Sequence, residues 1–109
     1  MENSTERSFV EIQNDAISVL KTIYDPEIPV DIYELGLIYE IKVSPGGNMV
    51  VVMTLTSPAC PVAGTLPGEV EGKLKGIAGV NDVKVDLTFD PPWSQELMSE
   101  EAKLELGFL

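Results

Sequence analysis

Apolar residues recur at Phe9, Ile12, Ala16, Val19, Leu20 and Ile23, three or four apart, and predict an amphipathic helix over Ser8–Tyr24. Ser8 and Glu11 have the spacing of a capping box, in which each satisfies a free backbone N–H of the first turn. Pro26 disfavours helical backbone at Asp25, so the helix is expected to stop there. Asp25–Glu34, DPEIPVDIYE, then reads as an irregular acidic segment. From Gly36 the period changes to two. Gly36–Val43 is expected to be a strand with Leu37, Tyr39, Ile41 and Val43 on one face. Ser44-Pro45-Gly46-Gly47-Asn48 has the composition of a turn. Met49–Thr56 should return antiparallel, with Val51, Met53 and Leu55 on one face and Val50, Val52, Thr54 and Thr56 on the other. A strand apolar on both faces at its start belongs at the centre of a sheet or under cover on both sides.

A second helical stripe follows at Ala63, Leu66, Val70, Leu74 and Ile77. It allows a start near Pro61 or at Pro67; its reach back to Ala63 favours the earlier start, and Gly79 suits its end. Glu69 and Glu71 early, Lys73 and Lys75 late, complement the helix dipole and give two i,i+4 ion pairs. Val80–Phe89 reads as a third strand, with Val83, Val85, Leu87 and Phe89 alternating against Lys84, Asp86 and Thr88. Asp90-Pro91-Pro92-Trp93 breaks the pattern, and a last short helix spans Gln95–Leu106, ended by Gly107. The order α-β-β-α-β-α predicts an α+β fold: two layers, with helices packed on a three-stranded mixed sheet. One domain is expected over residues 1–109, residues 1–7 being a flexible lead-in.

Composition narrows the chemistry. The chain carries a formal charge of −11, with 7 basic residues against 18 acidic ones. That repels nucleic acid and anionic membrane surfaces, and it favours a basic protein partner. No apolar run has the length of a membrane span or the form of a secretory signal, which argues for the cytoplasm. With no histidine there is no imidazole base or metal ligand. With one cysteine there is no internal disulfide and no paired-cysteine zinc site.

Cys60 is the sharpest candidate for chemistry. It lies between a strand end and the expected start of a helix, flanked by Pro58 and Pro61. A thiol at a helix N-terminus meets free N–H groups and the positive end of the dipole, which favour the thiolate, the form that ligates iron and attacks electrophiles. The bland reading, equally open on context alone, is a buried cysteine acting as a small hydrophobe. Thr54 and Thr56 share a strand face ahead of Cys60 and have hydroxyls to aim at the same spot, although threonine simply suits strands. Asp25, Glu27, Asp31 and Glu34 make up the acidic segment, which is either a solvated loop or a set of carboxylates beside the thiol. Trp93 is either a partner-facing anchor or, the preferred reading, a plug at the sheet edge.

Taken together and in order, DPEIPVDIYELGLIY, MTLTSPACPVAG, GVNDVKVDLTFDPPW and MSEEAK resemble the iron–sulfur cluster assembly domain family, SufT-type members above all. The resemblance runs from Ala16 to Gly107. Relatives include the cytosolic cluster-targeting proteins of eukaryotes and a phenylacetate-oxygenase-associated subfamily, whose cysteine-rich C-terminal extension this chain lacks. The resemblance implies the same α+β fold, with the cysteine loop close to the acidic segment. It places the signature positions on Asp25, Pro26, Glu27, Asp31, Leu35, Gly36, Thr54, Thr56, Cys60 and Pro61. It further implies a non-enzymatic factor in iron–sulfur protein maturation, in contact with assembly proteins and client apo-proteins. Cys60 would be a transient iron ligand, with Asp25, Glu27 and Asp31 shaping the pocket and Thr54 and Thr56 orienting the loop. No tightly bound cofactor is implied. A single cysteine cannot supply a cluster's full ligand set, so a transient iron–sulfur cluster would draw on a second copy in a homodimer, a partner or a small thiol. Two alternatives stay open: a thiol enzyme with Cys60 as nucleophile, weakened by the lack of histidine, and a pure interaction domain in which Cys60 is structural.

Overall fold

The computed structural model describes residues 9–25, 28–56 and 66–107. The elements follow the order read from the pattern: α1 (Phe9–Leu20), β1 (Ile38–Ser44), β2 (Asn48–Met53), α2 (Leu66–Leu74), β3 (Asp82–Leu87) and α3 (Glu100–Leu106). The sheet order is β1-β2-β3, with β1 antiparallel and β3 parallel to β2. The strand apolar on both faces is thus the central one. α1 packs on β1, α2 packs on β3, and the two helices touch, which puts them on one face of the sheet. Met49, Val51 and Met53 of β2 point into that layer and meet Ile12, Ala16, Leu20, Val70 and Leu74 in one core. Val50 and Val52, on the opposite face, are half-buried. Among the described residues no helix is long and apolar enough to cross a membrane.

Several boundaries differ from the sequence expectation. α1 ends at Leu20 rather than Tyr24, because the chain tightens there: Thr22 N–H and Ile23 N–H donate to Val19 O and Leu20 O, three residues back. Ile23 is nonetheless fully buried, so its place in the apolar stripe holds without the helix. In the same way α2 closes at Leu74 through a tight turn that buries Ile77, rather than running to Gly79. Pro67 is the second described residue of α2; the earlier start at Pro61 or Ala63, like the Ser8 cap, lies outside the described residues. Both expected ion pairs are present, Glu69–Lys73 at 3.7 Å and Glu71–Lys75 at 3.1 Å.

The strands are shorter than read, and β1 departs from strict alternation. Ile38 pairs with Met53 but Glu40 pairs with Val52, so Tyr39 is an extra residue, a β-bulge. The bulge shifts the inward positions to Ile38, Ile41 and Val43, opposite Met53, Val51 and Met49, and removes Tyr39 from that face. Gln13 on α1 reaches across to β1, its Nε2–H donating to Ile41 O at 3.0 Å. The β1–β2 turn needs glycine at Gly47: φ is +83° and a Cβ would overlap the Gly79 carbonyl oxygen. Beyond β3 the expected single helix is two pieces, a 3₁₀ turn at Gln95–Leu97 and α3, separated by extended backbone at Met98 and Ser99.

Candidate functional site

The acidic segment folds back on the end of α1. Ile32 N–H donates to Ile23 O at 2.8 Å, Asp25 N–H donates to Val30 O at 3.3 Å, and Tyr24 and Asp31 form an isolated antiparallel bridge. Inside this loop the buried Asp25 uses Oδ1 to accept the Ile28 N–H at 3.1 Å.

What reads as irregular chain then becomes one capped helical turn. Asp31 stands at the N-cap, its Oδ2 accepting the Glu34 N–H three residues on, at 3.0 Å. Leu35 N–H donates to Asp31 O. Gly36, at φ +83°, ends the turn: its N–H goes to Tyr33 O and the Leu37 N–H to Ile32 O, the paired bonds of a Schellman cap. Ile32 and Leu37, the two ends of the longer bond, are both fully buried. Burial raises the Asp31 carboxyl above its usual pKa; the bond from Glu34 N–H opposes that, and the Glu34 carboxylate adds to it. Glu34 also pairs with Lys21 at 3.4 Å, whose Nζ sits 5.5 Å from the centre of the Tyr33 ring.

Leu37 connects this turn to the exit of β2, its carbonyl accepting the Thr54 N–H at 2.8 Å. β2 ends at Met53, so Thr54 and Thr56 lie just past the strand rather than on it. Thr54 is fully buried and Thr56 half-buried. The Thr54 hydroxyl lies 3.5 Å from Leu55 O, a weak contact.

A further segment, residues 91–99, completes the arrangement; the sequence reading expects Trp93 as a plug but not its bond to this turn. Trp93 packs against the core, as a plug should, and its Nε1–H donates to the carbonyl of the buried Leu35 at 2.7 Å. Ser99 N–H donates to Glu34 O at 2.9 Å. Gly36 lies so close to the Leu97 backbone that a Cβ would overlap its carbonyl oxygen. The available signal was the indole itself, since a tryptophan that packs into a core needs an acceptor for its N–H.

Asp31, Leu35, Gly36 and Thr54 therefore meet at one hydrogen-bonded junction, and Asp25 braces the loop that leads into it. Pro26, Glu27, Cys60 and Pro61 lie outside the described residues. Among the described residues no three His, Cys, Asp or Glu side chains are grouped to hold a metal. The carboxylates of Asp25 and Asp31 are engaged with backbone N–H groups, which fits them to hold a loop's shape.

The α+β frame is the one that the resemblance implies, while the closeness of the Cys60 loop to the acidic segment falls on residues outside those described. Residues 13–87 match the family described as iron–sulfur cluster assembly protein, and the chain belongs to that family. It is 50% identical to an Fe-S protein maturation auxiliary factor of Porphyromonas gingivalis, over 93% of this chain and 96% of that protein. It is 39% identical to the Fe-S protein maturation auxiliary factor SufT of Staphylococcus aureus, over 78% of this chain and 97% of that one. The solved structure of a DUF59 domain, of unknown function, from Bacillus anthracis superposes with a TM-score of 0.85 at 38% identity, covering 92% of this chain and 95% of its own.

Proposed function

We propose that this chain is an auxiliary factor that helps iron–sulfur clusters reach client apo-proteins, with Cys60 as its point of contact. The observation that carries the reading is the match, over almost the full length of both chains, to a maturation auxiliary factor. In this reading Cys60 acts as thiolate, as a transient iron ligand or as the contact with a cluster carrier. Glu27 joins Asp25 and Asp31 in shaping the approach to it, and Thr54 and Thr56 set the direction of the chain leaving β2. Pro26 and Pro61 stiffen the two loops. A cluster held through one thiolate is passed on rather than kept, and its other ligands come from an assembly protein, a client, a small thiol or a second copy in a homodimer. The work is delivery in the cytoplasm rather than catalysis: a chain without histidine has no imidazole to activate the thiol for turnover.

The test uses cells that depend on this protein for the activity of an iron–sulfur enzyme. Cys60→Ala is expected to accumulate to the wild-type level and to leave the client without its cluster, seen as lost activity and lost visible absorbance of the purified client. A Cys60→Ala chain that supports full client maturation would sink the role given to the sulfur.

A further inference from the structure

Residues 91–99 form a strap over the capped turn of the acidic segment. Tyr39 Oη–H donates to Pro91 O at 2.7 Å, Trp93 Nε1–H to Leu35 O at 2.7 Å, and Ser99 N–H to Glu34 O at 2.9 Å. Between the last two, the Leu97 backbone lies against Gly36 with room only for hydrogen. Residues 34–37 are thus a junction of three segments: the Asp31 turn, the strap and, through Leu37 O, the chain leaving β2 at Thr54. The strap lies beyond residue 87, where the family match ends.

The indole is the side chain that fixes this junction. Leu35 is fully buried, so its carbonyl does not turn to bulk water; without Trp93 it is left wanting a donor. The bond also spans 58 positions of sequence, so nothing local replaces it. Met98, buried in the core, and Ser99, capping α3, anchor the far end of the strap.

We propose that Trp93 is a positioning residue: its indole N–H holds the Leu35–Leu37 turn, and through that turn it sets Asp31 and the Thr54 exit of β2 relative to each other. In this role it acts through the turn and not by contact with a cluster or client. The proposal rests on the maturation reading for what the junction serves, and on the hydrogen bonds alone for what Trp93 holds.

Trp93→Phe keeps a ring in the plug and deletes the donor. Amide hydrogen exchange on the full chain should show Leu35, Gly36, Leu37 and Thr54 opening about tenfold faster or more, with the amides of α1 and α2 unchanged. Tyr39→Phe, which removes only the edge tether at Pro91, should shift the same amides in the same direction by less, and it stands in if Trp93→Phe does not fold. Unchanged exchange at residues 35–37 and 54 overturns the proposal. A second arm separates positioning from bulk stability. In the client-dependent cells Trp93→Phe should lower maturation several-fold, while Ile12→Val, in the core away from the junction and adjusted by growth temperature to the same folded fraction, should not. Equal loss in both, or loss in neither, makes Trp93 structural only and overturns the positioning role. If Cys60→Ala keeps full maturation, the functional reading fails while the exchange arm still decides what Trp93 holds.

Discussion

Asp31 serves its turn as an acceptor, and its charge works against it. Burial and the neighbouring Glu34 carboxylate raise its pKa on folding, and the Glu34 N–H only partly offsets them. A carboxyl with a raised native pKa binds its proton more tightly in the folded state. Its contribution to stability is present below the unfolded pKa and is lost as pH rises through the folded one. Asp31→Asn keeps an oxygen for the Glu34 N–H and removes the charge. Urea denaturation should find it more stable than the wild type at pH 7, with the gap closing as pH falls through the ordinary carboxylate range. A gap that widens on acidification would contradict this account. The residue types here were legible, but the turn was not. Asp31 and Gly36 have the spacing of an N-cap and a C-terminal glycine around a single turn, yet five residues are too few for helical periodicity to announce itself. Tyr39 misled for the opposite reason. It fell on the alternating face with Leu37, Ile41 and Val43, and only the pairing of its neighbours Ile38 and Glu40 with Met53 and Val52 reveals the extra residue.

The elements were the most readable level, because periods of two and 3.6 survive wherever one face is buried. Valines on both faces of β2 marked it as central or covered on both sides, and it is central. What pattern could not supply was where helices stop: α1 and α2 close through local tight turns, and the break before α3 is set by a partner remote in sequence. A helix running unbroken from Gln95 would send the Ser99 N–H to Gln95 O; that N–H goes instead to Glu34 O, and the helix restarts. Ser99 then caps α3, its Oγ accepting the Ala102 N–H at 3.1 Å, while Glu100 and Glu101 face the positive end of the dipole. Ser99→Ala should cost about 1 kcal/mol, a fall in thermal midpoint of roughly 4–8 °C by calorimetry, with α3 and the strap loosening first. No change in midpoint would mean that the packing of Met98 and Ala102 alone holds this end.

For the whole molecule, charge is the dominant property. At −11, self-repulsion opposes the compact state, and the ion pairs at the surface offset little of it. Raising ionic strength from about 0.01 M to about 0.15 M shortens the screening length from about 30 Å to about 8 Å, so the thermal midpoint should rise by a few degrees. A midpoint that falls with added salt would show that attractive pairs outweigh the excess of like charge. Fold class was recoverable from pattern and the family from motif order, whereas the junction depends on chain segments that only the folded state brings together.

The amide of Gln13 has a consequence for how this sheet meets other chains. By occupying the Ile41 carbonyl it takes away an acceptor that an incoming strand would need, and the bulge at Tyr39 bends the same margin out of line. Exposed Glu40 and Lys42 add charge to that rim. Growth of the sheet past β1, whether by a stray peptide or by stacking toward a fibril, meets a margin on which one acceptor is already taken by a glutamine.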